Sequence, residues 1–260
     1  MARPAGWPAA PRPIFLTIIP GQRGAAASCA SRYNGGVSNR AYLKVWCRGV
    51  TPEHLPELLQ AFLEAVPYSR VRPGCTQLAV RAVDYSEAPV LERDLRAAPT
   101  SPAEIVAEIG GLLEADASVE VEAWWDLWVY DAAAGTWSER PQRLEIIFHG
   151  PEFDEGACRE LGHFIADLGF EHLFTGHAGL LTGDGGGPAA PEHPAEAEFL
   201  AQMARPGARA EYAARTRENI RRLRAWVERV AKLPLVERFV LESEGEEDFE
   251  AKLETVTGEV

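Results

Sequence analysis

The chain is poor in the features that announce chemistry. Its 260 residues hold four cysteines, Cys29, Cys47, Cys75 and Cys158, and no two of them form a CxxC pair. Thiols scattered in this way give no zinc or thioredoxin-like motif, so a reduced, cytoplasmic setting is expected. No apolar run approaches the ~18 residues of a membrane-spanning helix. Also missing are a P-loop ending in Gly-Lys-Ser/Thr, a Gly-x-Gly-x-x-Gly turn after a strand, a Gly-x-Ser-x-Gly elbow, HExxH, and His-x-Glu paired with Pro-Cys-x-x-Cys. Nucleotide cradles, serine hydrolases, zincins and zinc deaminases therefore lack their sequence support. No internal repeat stands out. Cations are in deficit as well: 26 Lys and Arg face 39 Asp and Glu, for a formal net charge of −13. That balance opposes a nucleic-acid partner, whose backbone is held by cations that displace counterions. It suits a basic protein or another cationic partner.

What is present reads as an α+β domain. Ala41, Leu43, Val45 and Cys47 alternate with Tyr42, Lys44, Trp46 and Arg48, which is a strand pattern. Thr51 and Pro52 then suit a helix start, Leu55, Leu58, Leu59, Phe62 and Val66 recur at helical spacing, and Pro67 ends the run. A second strand is predicted over Thr76 to Asp84. Ser101-Pro102-Ala103-Glu104 forms a capping box ahead of a helix with Ile105, Ile109 and Leu112 on its buried stripe. Ser118 to His149 alternates on both sides of an Ala/Gly turn and predicts a β-hairpin, which carries Trp124, Trp125, Trp128 and Trp137. A third helix is expected from Asp154 through Leu168, closed by Gly169, followed by a short strand over Phe170 to Phe174.

From Thr76 to Thr175 this gives a ferredoxin-like βαββαβ order with an extra N-terminal strand-helix unit. The expected form has helices on one face of a largely antiparallel sheet, plus C-terminal helices. The domain is placed at 37–177. Residues 1–36, rich in Pro, Ala, Gly and Arg, are expected to be a disordered leader, with translation from Val37 as an alternative. Their apolar patch Ile14 to Ile19 is too short for a secretion signal. A Gly/Pro-rich linker is assigned to 178–194, and a helical extension with an acidic tail to 195–260. The long helix of that extension carries an apolar stripe, Ile220, Leu223, Val227 and Val230, beside many arginines. Its basic face is expected to neutralise the acidic tail and not to bind nucleic acid or membrane.

Two groups of residues offer function. One face of the first hairpin strand presents Glu122, Trp124, Asp126, Trp128 and Tyr130. If Tyr130 pairs with Trp137, Arg143 falls opposite Trp124, within reach of a cation–π contact. Left open, this face suits a cationic side chain, a peptide or a sugar ring; covered by the long helix or a second subunit, it is core. The other group is His149, His163, His172 and His177, set among carboxylates but at spacings that fit no metal motif. The expected function is a non-catalytic protein-binding module, an inhibitor or immunity-type partner of a basic effector, with no cofactor. A metal-dependent hydrolase built on the four histidines is the second reading. A homo-oligomer joined through the long helix, that is, self-association, is the third.

Overall fold

The computed structural model describes residues 39–177, 180–181 and 194–258. The expected leader, with its alternative start at Val37, lies outside the described residues, as does nearly all of the 178–194 linker. Seven strands are described: β1 (Arg40–Cys47), β2 (Cys75–Ala82), β3 (Leu91–Asp94), β4 (Ala117–Asp131), β5 (Thr136–His149), β6 (Phe164–Phe170) and β7 (Val236–Ser243). They form one sheet in the order β3-β2-β4-β5-β6-β1-β7, and every neighbouring pair is antiparallel. The helices are α1 (Leu55–Glu64), α2 (Pro102–Ile109), α3 (Cys158–Leu161), α4 (His172–Thr175), α5 (Pro194–Met203), α6 (Ala208–Val230) and α7 (Phe249–Thr257). The chain is thus α+β.

Alternation assigns each strand one buried face. Leu43 and Val45, Leu78 and Val80, Val119 to Leu127 at every second position, Ile146 and Phe148, and Phe164 and Leu168 all enter one core. Leu59 and Phe62 of α1, Ile105 and Ile109 of α2, Leu223 and Trp226 of α6, and Leu253 of α7 fill it from the other side. Phe62 stacks on Phe164 at 4.0 Å, and Trp226 meets Trp125 edge-on at 5.8 Å. Each such side chain contributes roughly 1.5–3 kcal/mol on leaving water. The apolar stripe of α6 is consumed in this core, so the feature that motivated an oligomer interface faces inward.

Several local expectations change. Both halves of the Ser101–Glu104 capping box form, but Leu112 lies at the surface, 37% exposed, instead of on a buried stripe. Thr51 precedes a 3-10 turn over Pro52–His54 and makes no side-chain cap bond. The helix expected from Asp154 to Leu168 is replaced by a 3-10 turn, the single turn of α3, and then strand β6. Asp154 lies inside the 3-10 turn with a left-handed φ of 47°, not at an N-cap position. Gly162, at φ 98°, breaks the run where the chain passes close to Val45; an added Cβ would sit 3.0 Å from the Val45 carbonyl oxygen. Beyond it Phe164, Ala166 and Leu168 alternate into the core. The strand expected at Phe170–Phe174 is instead the end of β6 followed by α4. The ferredoxin-like order rested on that helix and that strand and is not confirmed.

The acidic tail is not a tail. Val236–Ser243 forms β7, paired along β1, and α7 returns Phe249, Leu253 and Val256 to the core. Two of the α6 arginines, though exposed, anchor helix ends. Arg229 donates to the Ala65 carbonyl just past α1, at 3.0 and 3.2 Å, and Arg217 donates to Val256 O in the last turn of α7, at 2.9 Å. Cations at the negative ends of helices are favourable partners for those carbonyls.

The β4–β5 hairpin outruns its neighbours. Strand β2 pairs with β4 only as far as Ala123, and β6 pairs with β5 only from Glu145 to Phe148. Beyond these limits the hairpin projects as a two-stranded ribbon, and Pro141 stands in β5 where β6 has ended and costs no ladder bond on that side. The edge of β4 left by β2 is completed by other groups. Ser69 N donates to Trp124 O at 2.6 Å and Arg222 Nη1 to Asp126 O at 2.6 Å. Asn219 of α6 pairs with both backbone groups of Trp128.

Candidate functional site: the second face of the sheet

Helices α1, α2 and α7 and most of α6 fill the core on one face, and most of the other face is left to its own side chains. It is covered at two ends. At one end Tyr85 and Phe153 lie over His149. At the ribbon end, Phe199, Met203 and Tyr212 from α5 and α6 form a small separate cluster with Leu180, against which Tyr130 and Trp137 pack. Tyr130 also donates to Gln202 Oε1 at 2.5 Å. Between these ends no described helix lies on the face.

The hairpin register pairs Tyr130 with Trp137 and Trp124 with Arg143. The cation–π contact is nevertheless made differently. Arg143 turns to the carboxylates, 2.7 Å from Glu122 and 3.1 Å from Glu145, because a guanidinium gains more from an anion than from a ring. Arg72 lies over Trp124 at 4.2 Å and Arg215 of α6 over Trp128 at 3.8 Å. Trp124 Nε1 donates to Thr76 Oγ1, whose hydroxyl donates to Glu122 Oε1 at 2.8 Å. Asp126 bonds Arg70 and lines a cleft of about 380 Å³ with Tyr68, Arg70, Glu139 and Arg222, where Glu139 bridges both arginines. Of the residues singled out from sequence, Glu122, Trp124 and Arg143 share one network on the open region. Asp126 and Trp128 belong to the ribbon edge, and Tyr130 is under the α5 cluster.

The sheet assembles a further feature across strands. Directly opposed positions give one row, Asp94, Gln77, Glu122, Glu145, Asp167, Tyr42 and Glu242, one residue from each strand. Every position except Gln77 and Tyr42 is a carboxylate. At ~4.8 Å per strand the row runs about 29 Å across the sheet. Like charges placed directly opposite destabilise a sheet, and Glu122, Glu145 and Asp167 are consecutive. Arg143 serves the first two, and Arg40 holds Asp167 at 2.5 Å. Burial pushes the Glu145 carboxyl above the usual range; Arg143 opposes the shift, while Asp167 and Glu120 add to it. Beside the row, Ile147 and Ile165 face each other on the same surface, half-buried. No local pattern in β4 alone could have shown this row, since its members come from separate strands.

The four histidines do not form one site. His149 is fully buried, with Nδ1 on Gly162 O at 3.0 Å and Nε2 facing the Tyr85 hydroxyl, so both ring nitrogens are engaged. His163 Nδ1 accepts from Cys47 N at 3.1 Å. His172 and His177 instead stack on each other, ring centres 3.9 Å apart. Burial, then the neighbouring His177, pushes His172 down to about 3. Among the described residues no three His, Cys, Asp or Glu side chains are grouped to hold a metal ion. The Cys47 and Cys75 thiols are buried and pushed up to about 12 and about 11, chiefly by desolvation, which leaves them protonated and poor nucleophiles. No described helix is long and apolar enough to cross a membrane. No known family model, curated protein or solved structure matches this chain.

Proposed function

We propose that this chain is a non-catalytic protein-binding module, an inhibitor or immunity-type partner of a basic effector, which it takes against the second face of its sheet. The observation that carries this reading is the row of carboxylates on a sheet surface that no described helix covers. Around the row, Glu92 and Glu120 add to the negative side, against Arg40, Lys44, Arg81 and Arg143. A sheet gains nothing in stability from aligned carboxylates, and positions that break local rules of stability tend to be kept for function. Complementary charge would also speed encounter with a basic partner and make association sensitive to salt.

The test is capture of a basic protein from extracts of the source cells, comparing the wild-type chain with a folded Glu122→Lys/Glu145→Lys variant. The wild type should retain its partner at low salt and lose it as salt rises, while the variant fails to capture it. Equal capture by the two would remove the face from consideration.

A further inference from the structure

Beside the charge row, the next line of positions on the open surface carries an apolar pair, flanked by Glu120 on one side and Lys44 on the other. Ile147 and Ile165 are opposed across β5 and β6, one register step from Glu145 and Asp167. They point away from the core side chains Ile146, Phe148, Phe164 and Ala166 and remain half-buried at a surface with no described helix over it. The next residue in this second line is Lys44, which reaches across to Glu242, and beyond it is Val240. Strands β5 and β6 therefore display a pair of isoleucines directly beside the acidic row. On a solvent-facing sheet surface, alternation ordinarily places polar residues outward, and paired isoleucines there call for a cover.

We infer that the occupant of this surface is a basic amphipathic segment of a partner protein, with its apolar side chains on Ile147 and Ile165 and its Lys or Arg side chains on Glu122, Glu145 and Asp167. This inference rests on the protein-binding reading above and adds the chemistry of the partner's contact. The carboxylate best placed to receive a cation is Glu145. Glu122 is already held by Arg143 and Thr76, and Asp167 by Arg40 and the Gly169 amide at 3.0 Å. Glu145 shares Arg143 with Glu122, has a like charge on each side, and is the most exposed of the three, at 36% against 10% and 19%. A cation arriving there relieves repulsion already present in the free protein. The isoleucines exclude water beside it, which strengthens the ion pair.

Two synthetic probes test this with the full chain: an amphipathic helix with leucine on one face and lysine on the other, and polylysine of equal charge. The amphipathic peptide should bind the wild type about tenfold more tightly than polylysine, a difference of about 1.4 kcal/mol. Ile165→Thr should lose that preference, and Glu145→Gln should weaken both probes about tenfold while raising the thermal midpoint of the free protein. The rise in midpoint is the readout that separates a docking role from a structural one, since a carboxylate needed to hold the sheet would lower it on replacement. Equal affinity for both probes, or an unchanged amphipathic affinity in Ile165→Thr, overturns the inference and leaves the acidic docking face standing. Failure of both probes to bind at low salt overturns the inference and the proposed function together.

Discussion

Asn219 carries a larger share of the fold than its size suggests, and its replacement by alanine is a demanding test of how the hairpin is held. The residue is 1% exposed on α6. Its Oδ1 accepts from Trp128 N at 2.8 Å, and its Nδ2 donates to Trp128 O and to Leu173 O, each at 3.0 Å. One carboxamide therefore stands in for the strand that β4 lacks beyond Ala123 and ties that edge to α4. Asn219→Ala leaves three backbone groups without their partner. The Leu173 carbonyl is buried, and a buried group so stranded costs about 1–3 kcal/mol. The two Trp128 groups lie on a partly exposed edge, where water recovers part of the loss. The expected destabilisation is about 3–4 kcal/mol, a large fraction of the 5–15 kcal/mol typical of a whole domain. Urea unfolding should show a lower midpoint with an unchanged slope, as expected when stability changes but the surface exposed does not. Hydrogen exchange should show the Trp128 amide losing protection more than amides of β1. A loss below about 1 kcal/mol, or uniform loss of protection, would refute the idea that this side chain seals the β4 edge.

Acid should destabilise the protein through its histidines. His149, His163, His172 and His177 all have their pKa lowered in the folded state, by burial first. The unfolded chain then binds more protons below about pH 6.5, so stability falls as pH drops through that value and, for His172, continues to fall to about 3. Thermal midpoints measured from pH 7 to pH 4 should show this, and a flat profile would contradict it. Cys47 and Cys75 should resist iodoacetamide at pH 8 in the native protein and react on unfolding, as read by peptide mass spectrometry. Labelling of either in the folded state would show that the core is not closed around it. Gly162→Ala should lose about 1–3 kcal/mol, because the new Cβ meets backbone at Val45 and Phe164 in a left-handed conformation; equilibrium denaturation checks it, and a neutral result would mean that the backbone shifts freely there.

Much of the hairpin was legible because its signals are local. Alternation marked its faces, and turn length set the Tyr130–Trp137 register from which the Trp124–Arg143 pairing follows. The partners of those side chains were not legible. Arg72 and Arg215 reach the tryptophans from a loop and from α6, and nothing in β4 or β5 encodes their arrival. The stretch after Asp154 failed for a different reason. Leu161, Phe164, Ile165 and Leu168 satisfy a helical stripe, while Phe164, Ala166 and Leu168 satisfy strand alternation. A short apolar run supports both, and pairing with β1 and β5 decides between them. Acidity hid β7 and α7 in the same way: Glu237, Glu242 and Glu250 dominate the composition there, but Leu241, Phe249, Leu253 and Val256 carry the burial.

The sequence by itself determined the class of this protein. Period-two and helical patterns, caps and turns act over a few residues, and they suffice to specify strands, a hairpin and the amphipathic helices α1, α2 and α6. They also show a chain without metal, nucleotide or nucleophile motifs. Tertiary structure alone decided what the second face presents. Strand order and register bring Glu122, Glu145 and Asp167, successive members 22 or more residues apart in the chain, into one line, beside which Ile147 and Ile165, 18 apart, are paired. Side chains that distant in the chain become neighbours only when cross-strand hydrogen bonds set the register, because the pleat then aligns every second residue of each strand with its counterpart on the next.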